Sequence, residues 1–97
     1  MATVVCAAGA LDALERELGA LAAESPAAAR AASAALRSAL ELLARHPLIG
    51  RRLEGGLREL AVSYGPSGLT ALYRFRVPAD EVRVLALARQ RALGPPR

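Results

Sequence analysis

At His46-Pro47 the periodicity of this chain changes, and that change limits the folds open to it more than any other feature. Upstream, leucines at 11, 14, 18 and 21 recur at spacings of three and four, with Asp12, Glu15 and Arg16 off that line. This is the pattern of a helix with one apolar face, expected over Ala10 to Glu24. Ser25-Pro26 then restarts the helix: a serine oxygen can accept from the new helix's unpaired N–H groups, and proline fits a first turn. The second helix is expected from Pro26 to about Arg45. Ala28, Ala32, Leu36, Ala39, Leu40 and Leu43 form its inward stripe, and Arg30, Ser33, Arg37 and Glu41 face outward. Small residues in such a stripe let two helices approach closely. The helix stops at His46 because the residue before a proline is pushed out of the helical region.

Downstream, alternation replaces the helical period over Leu57–Ser63, Leu69–Val77 and Val82–Arg89, which are expected strands. Gly50, Gly55 and Gly56 frame the loop before them. Tyr64-Gly65-Pro66-Ser67-Gly68 and Pro78-Ala79-Asp80 are short enough to join antiparallel neighbours, so the three strands form a meander. In the middle strand Leu69, Ala71, Tyr73, Phe75 and Val77 share one face, and Thr70, Leu72, Arg74 and Arg76 the other. A weaker strand is expected over Thr3–Ala8, ended by Gly9. The expected class is α+β: an N-terminal strand, then a helical hairpin packed on an antiparallel sheet with a three-strand C-terminal meander. One sheet face is covered by the hairpin and the other is solvated and carries arginines. With 97 residues the chain can bury one core, so residues 1–97 are read as a single domain, with Gly94-Pro95-Pro96-Arg97 as a loose tail.

Every basic residue is arginine. Residues 1–49 hold four arginines and five acids, net −1, and residues 50–97 hold nine and four, net +5, which together give the overall +4. A basic half suits an acidic partner, either nucleic acid or an acidic protein segment, as well as it suits a solvated basic surface. The single cysteine, Cys6, excludes an internal disulfide and lies in an apolar run, so it reads as a small buried hydrophobe. No stretch is long and apolar enough to span a bilayer, and no leader pattern opens the chain, so a cytoplasmic protein with no membrane partner is expected.

Several stretches together resemble the RelE/ParE toxin superfamily. They are Leu57-Arg58-Glu59-Leu60, Tyr64-Gly65-Pro66-Ser67-Gly68, Ala71-Leu72-Tyr73-Arg74 and Val82-Arg83-Val84-Leu85-Ala86-Leu87. Upstream, Glu41-Leu42-Leu43-Ala44-Arg45 leads into His46-Pro47-Leu48-Ile49-Gly50-Arg51, which resembles the helix end and loop of the ParE-like branch. The resemblance implies a bacterial toxin of a type II toxin–antitoxin system of the plasmid-stabilisation kind. It implies a cognate antitoxin as partner, with operator DNA reached only through that antitoxin. For the ParE-like branch it implies growth arrest through inhibition of DNA gyrase by protein binding. The alternatives are a ribosome-dependent mRNA endonuclease of RelE type and a degenerate toxin that retains only antitoxin binding. The chain departs from the family pattern at Ala88-Arg89, where Arg-His is common, at Ala92, where an acid is usual, and at Pro95, where tyrosine is common.

RNA cleavage of the RelE kind would be metal-free and would need a general base, a general acid and cations on the phosphate. Lysine is absent, and the one histidine, His46, reads as a helix-terminating residue whose imidazole can bond the last carbonyls. Tyr73 reads as core, and Tyr64 as undecided with a preference for turn packing. No cluster has metal-ligand spacing and no glycine-rich loop opens a helix, so neither metal nor cofactor is expected. This argues against an enzyme while leaving an arginine-only nuclease open. The candidate functional surface is basic: Arg58, Arg74, Arg76, Arg83 and Arg89 on the strands, with Arg91 beyond and Arg51-Arg52 before them. Arg58 sits in the family-like "REL" stretch and reads as functional or antitoxin-contacting, or else as paired with Glu54 or Glu59.

Overall fold

A computed structural model describes residues 1–64 and 67–89. The elements are β1 (Thr3–Cys6), α1 (Ala8–Glu24), α2 (Pro26–Arg45), β2 (Arg51–Arg52), β3 (Leu57–Tyr64), β4 (Ser67–Arg76) and β5 (Glu81–Arg89). Short 3-10 turns lie at Glu54–Gly56 and Val77–Ala79. The helical hairpin forms as the sequence implies: the N–H of Ala28 donates to Ser25 Oγ at 3.2 Å, and Pro26 takes the first turn of α2. At the other end the backbone N–H of His46 bonds the Leu42 carbonyl, so it is the main chain of His46 that closes the helix. No helix among the described residues is long and apolar enough to cross a membrane. The tail at residues 94–97 lies outside the described residues.

The sheet runs β1-β5-β4-β3-β2. The meander β3-β4-β5 is antiparallel throughout, but β1 pairs with β5 in parallel, so the sheet is mixed where an antiparallel one was expected. The path of the helices explains this. Ala7 N–H bonds Val84 O, and Glu17 further along α1 reaches Arg89, so α1 continues in the direction of β1 over the second half of β5. Helix α2 returns, and its Ala44 carbonyl accepts from the Ala2 N–H at the foot of β1. From that foot β3 rises, β4 descends and β5 rises again, beside β1 and in its direction. The early helix start at Ala8 also overturns the expected strand to Ala8 and the stop at Gly9, which instead lies in the first turn of α1.

Two connected clusters make the core. Ala10, Ala13, Leu36, Leu43, Ala71, Tyr73, Val82, Val84 and Leu87 fill the first, and Leu21, Ala32, Val62, Tyr64 and Leu69 the second. Ala10 and Ala13 bring α1 close to the sheet, which turns Leu11 outward at 48% exposure although its spacing suggests the apolar face. In β5 the register shifts between the partners of Leu72 and Tyr73, which pair with Ala86 and Val84, so Leu85 is an extra, unpaired residue. Such a bulge flips the parity of the strand beyond it. It buries Leu87 beside Val82 and Val84 and turns Ala86 outward, the reverse of simple alternation. Asp80 takes the left-handed conformation at φ 48° that closes the β4–β5 turn, a geometry a short polar side chain tolerates. Cys6, half-buried against the first cluster, has its thiol pushed up by burial, which favours the protonated form over the nucleophilic thiolate.

Tyr64, the last residue of β3, packs as core at the strand end: it is buried in the second cluster, and its hydroxyl has no hydrogen-bond partner among the described residues. An orphaned buried hydroxyl costs about 1–3 kcal/mol. Tyr64→Phe is therefore expected to stabilise the fold by about 1 kcal/mol, raising the melting temperature by roughly 4–8 °C in a domain of this size. A thermal melt followed by circular dichroism checks this, and a drop of similar size would mean the hydroxyl is partnered.

Candidate functional site

The strand parity sorts the arginines by face. Arg58 lies opposite Tyr73 in the β3–β4 register, in phase with Leu60 and Val62, and so on the side covered by the helices. Its Nη1 donates to the carbonyls of Leu48 at 3.0 Å and Gly50 at 2.9 Å. Neither Glu54 nor Glu59 is its partner: Glu59 pairs with Arg51. Tyr73 completes the same arrangement from β4, its hydroxyl donating to Pro47 O at 2.7 Å and accepting from the Gly50 N–H at 2.8 Å. Arg58 and Tyr73 thus clamp the loop between the helical hairpin and the sheet. Gly50 is required there by space, since a Cβ would lie 2.7 Å from the Tyr73 ring and 2.8 Å from Glu59 O.

Arg74, Arg76 and Arg83 lie on the open face of the sheet. Arg74 stands opposite Arg83 and Arg76 opposite Glu81 in the β4–β5 register. Glu81 draws two of them, reaching Arg83 at 3.2 Å and Arg76 at 3.6 Å. Arg74 Nη1 donates to Gly55 O at 2.5 Å and pins the Glu54–Gly56 turn, where Gly55 and Gly56 both have positive φ. Arg51 joins this face beside Glu59, so among the described residues it carries four arginines and two glutamates, a net charge of +2. Further along the strands the same face presents Ala61, Ser63, Thr70, Ala86 and Ala88, small and neutral residues.

Arg89 is separated from the open-face arginines by the bulge. Its register partner is Leu69, whose side chain is fully buried under the helices, and its Nε lies 3.9 Å from a Glu17 oxygen on α1. Of the six candidate arginines, then, Arg74, Arg76 and Arg83 come together, Arg58 and Arg89 occupy the helix side at opposite ends of the sheet, and Arg91 lies outside the described residues. Ala92 and Pro95, where the chain departs from the family pattern, also lie outside them. Among the described residues no group of histidine, cysteine and carboxylate side chains could hold a metal ion.

A further surface, which the periodicity of the sequence does not suggest, lies at the foot of the sheet. Leu42, Pro47, Leu48 and Ile49 form an apolar crest, and Leu48 also borders a groove of about 400 Å³ that runs past Arg52, Glu54 and Arg58 to Phe75 and Val77. The signal available was the run Pro47-Leu48-Ile49 inside a loop, apolar residues with no strand or helix to bury them.

Comparison with known proteins agrees with this architecture. In structure the chain resembles a chain of the solved complex described as the intact E. coli RelBE toxin-antitoxin complex, with a TM-score of 0.62 and 18% identity over 91% of this chain and 95% of that one. At that identity the likeness concerns the fold. No curated protein sequence matches the chain. A family profile does match it over residues 4–94, from β1 past the end of β5, and is described as the ParE toxin of the type II toxin-antitoxin system, parDE. With nearly its whole length inside that match, and with two helices packed on a mixed sheet, the chain belongs to the ParE toxin family of type II toxin–antitoxin systems.

Proposed function

We propose that this toxin acts by binding DNA gyrase and inhibiting it, and that a cognate antitoxin neutralises it. The observation that carries this reading is the division of the arginines between the two faces of the sheet. Cleavage of RNA without a metal needs several cations on one phosphate together with a general acid and base. Here Arg58 is engaged with loop carbonyls and Arg89 lies near Glu17, while Arg76 and Arg83 share Glu81 on the opposite face. Inhibition by protein binding makes no demand for convergence. It needs exposed surface with defined chemistry, which the apolar crest at Leu42, Leu48 and Ile49 and the basic open face supply. An antitoxin segment that folds on binding would cover part of the same surface and bring the toxin to operator DNA.

The test is to induce the chain in cells without antitoxin, following DNA, RNA and protein synthesis separately, and to assay supercoiling by purified gyrase with added toxin. The expected result is early arrest of replication with DNA-damage signalling, and loss of supercoiling in proportion to the toxin added. A prompt stop in translation with cleaved mRNA would replace gyrase with the ribosome as target. Unimpaired growth beside retained antitoxin binding would mark a toxin that has lost its activity.

A further inference from the structure

The groove at the foot of the sheet holds a charge arrangement that the fold leaves uncompensated. Arg52 and Arg58 are register partners across β2 and β3, and like charges directly opposite one another destabilise a strand pair. Elsewhere in the sheet Arg51 meets Glu59, Arg76 and Arg83 meet Glu81, and Arg89 meets Glu17, while Arg74, which donates to the Gly55 carbonyl, stands opposite an arginine that Glu81 already compensates. Among the described residues Arg52 and Arg58 form no ion pair. Arg58 is fixed by its Nη1 bonds to Leu48 and Gly50, and its remaining N–H groups have no acceptor among the described residues. Beside this pair the groove wall is aliphatic and open, with Leu48 58% and Val77 69% exposed and Phe75 between them and the core.

We propose that this groove docks an acidic, amphipathic linear segment of a partner protein. A carboxylate of the segment lies between the Arg52 and Arg58 guanidiniums, and a neighbouring apolar side chain covers Leu48, Phe75 and Val77. Charge complementarity selects this occupant. A guanidinium already fixed by two carbonyls loses little freedom on gripping a carboxylate, and arginine–carboxylate pairs are bidentate and strong. The groove suits RNA less: its most exposed walls, Leu48 and Val77, are aliphatic, and Phe75, the aromatic side chain in its lining, is half-buried and offers a base little face to stack on. This inference rests on the reading of the chain as a protein-binding toxin. Its test uses neither gyrase nor antitoxin, so its failure would leave that reading standing.

The experiment selects binders to the immobilised full-length chain from a displayed library of random 12-residue peptides and measures single binders by fluorescence anisotropy. The expected binders place Asp or Glu beside Leu, Ile, Val or Met. Their affinity falls at least tenfold with Arg52→Glu, falls likewise with Val77→Asp, and rises with Glu54→Gln. Arg52 and Val77 are exposed, so both variants keep the fold, which circular dichroism checks. Binders without acidic residues, or acidic binders indifferent to both Arg52→Glu and Val77→Asp, overturn the proposal. So does a 12-nucleotide oligouridylate that binds in an Arg52-dependent way, which would give the groove to RNA.

Discussion

Tyr73→Ala is expected to cost about 3–5 kcal/mol, and Tyr73→Phe about 1–3 kcal/mol. The ring is fully buried at the centre of the first core cluster, among Leu43, Val82 and Val84, so truncation opens a cavity that neighbours on three strands and a helix cannot fill. The smaller change isolates the hydroxyl. Removing it leaves the buried N–H of Gly50 without its acceptor and Pro47 O without its donor. Domains of this size have about 5–15 kcal/mol to lose, so Tyr73→Ala approaches unfolding, whereas Tyr73→Phe keeps the fold and frees the loop. Urea denaturation gives both costs, and limited proteolysis reports the loop: Tyr73→Phe is expected to expose cleavage at residues 46–50 before the sheet opens. A cost below about 0.5 kcal/mol for Tyr73→Phe would show that the hydroxyl does not hold the loop.

That clamp changes what an Arg58 substitution means. Arg58→Ala removes two bonds to loop carbonyls as well as a charge, so lost toxicity in that variant would report a displaced Leu48–Ile49 crest as readily as a lost partner contact. Arg52, exposed and without an ion pair among the described residues, is the cleaner probe of contact.

How far the sequence could be read differs from residue to residue. The helical hairpin was legible because Ser25-Pro26 and His46-Pro47 act through local chemistry, and the meander was legible because alternation in β3 and β4 is uninterrupted. The side taken by Arg58 was legible too, since it shares parity with Leu60, Val62 and Tyr64; only its charge argued for solvent. Arg89 was not legible. Its side is set by the bulge at Leu85, and nothing in Val-Leu-Ala-Leu-Ala announces an unpaired residue when every side chain is aliphatic. The parallel pairing of β1 was equally hidden. It depends on α1 running onward over β5, a tertiary choice made by Ala10 and Ala13, whose size permits the close approach but whose spacing does not demand it.

The glycine of the His46–Arg51 loop should be as intolerant as the tyrosine it contacts. Gly50→Ala is expected to cost about 3 kcal/mol or more, with overpacking contributing about 1–3 kcal/mol and the broken Gly50 N–H bond about 1–3 kcal/mol. The reason is space and not backbone conformation, because the positive-φ glycines are Gly55 and Gly56. A Cβ at position 50 would stand 2.7 Å from Tyr73 Cε1 and Oη, and 2.8 Å from the Glu59 carbonyl. The ring cannot swing away inside the core, and the carbonyl belongs to a strand paired on both sides. A double-mutant cycle with Tyr73→Leu separates the two obstacles. If the ring is the main one, Gly50→Ala costs at least about 1 kcal/mol less in the Tyr73→Leu background than in the native chain, a coupling of the size seen between residues in contact. Additive costs would place the obstruction at the Glu59 carbonyl, making β3 and not the tyrosine the wall against which this loop is packed.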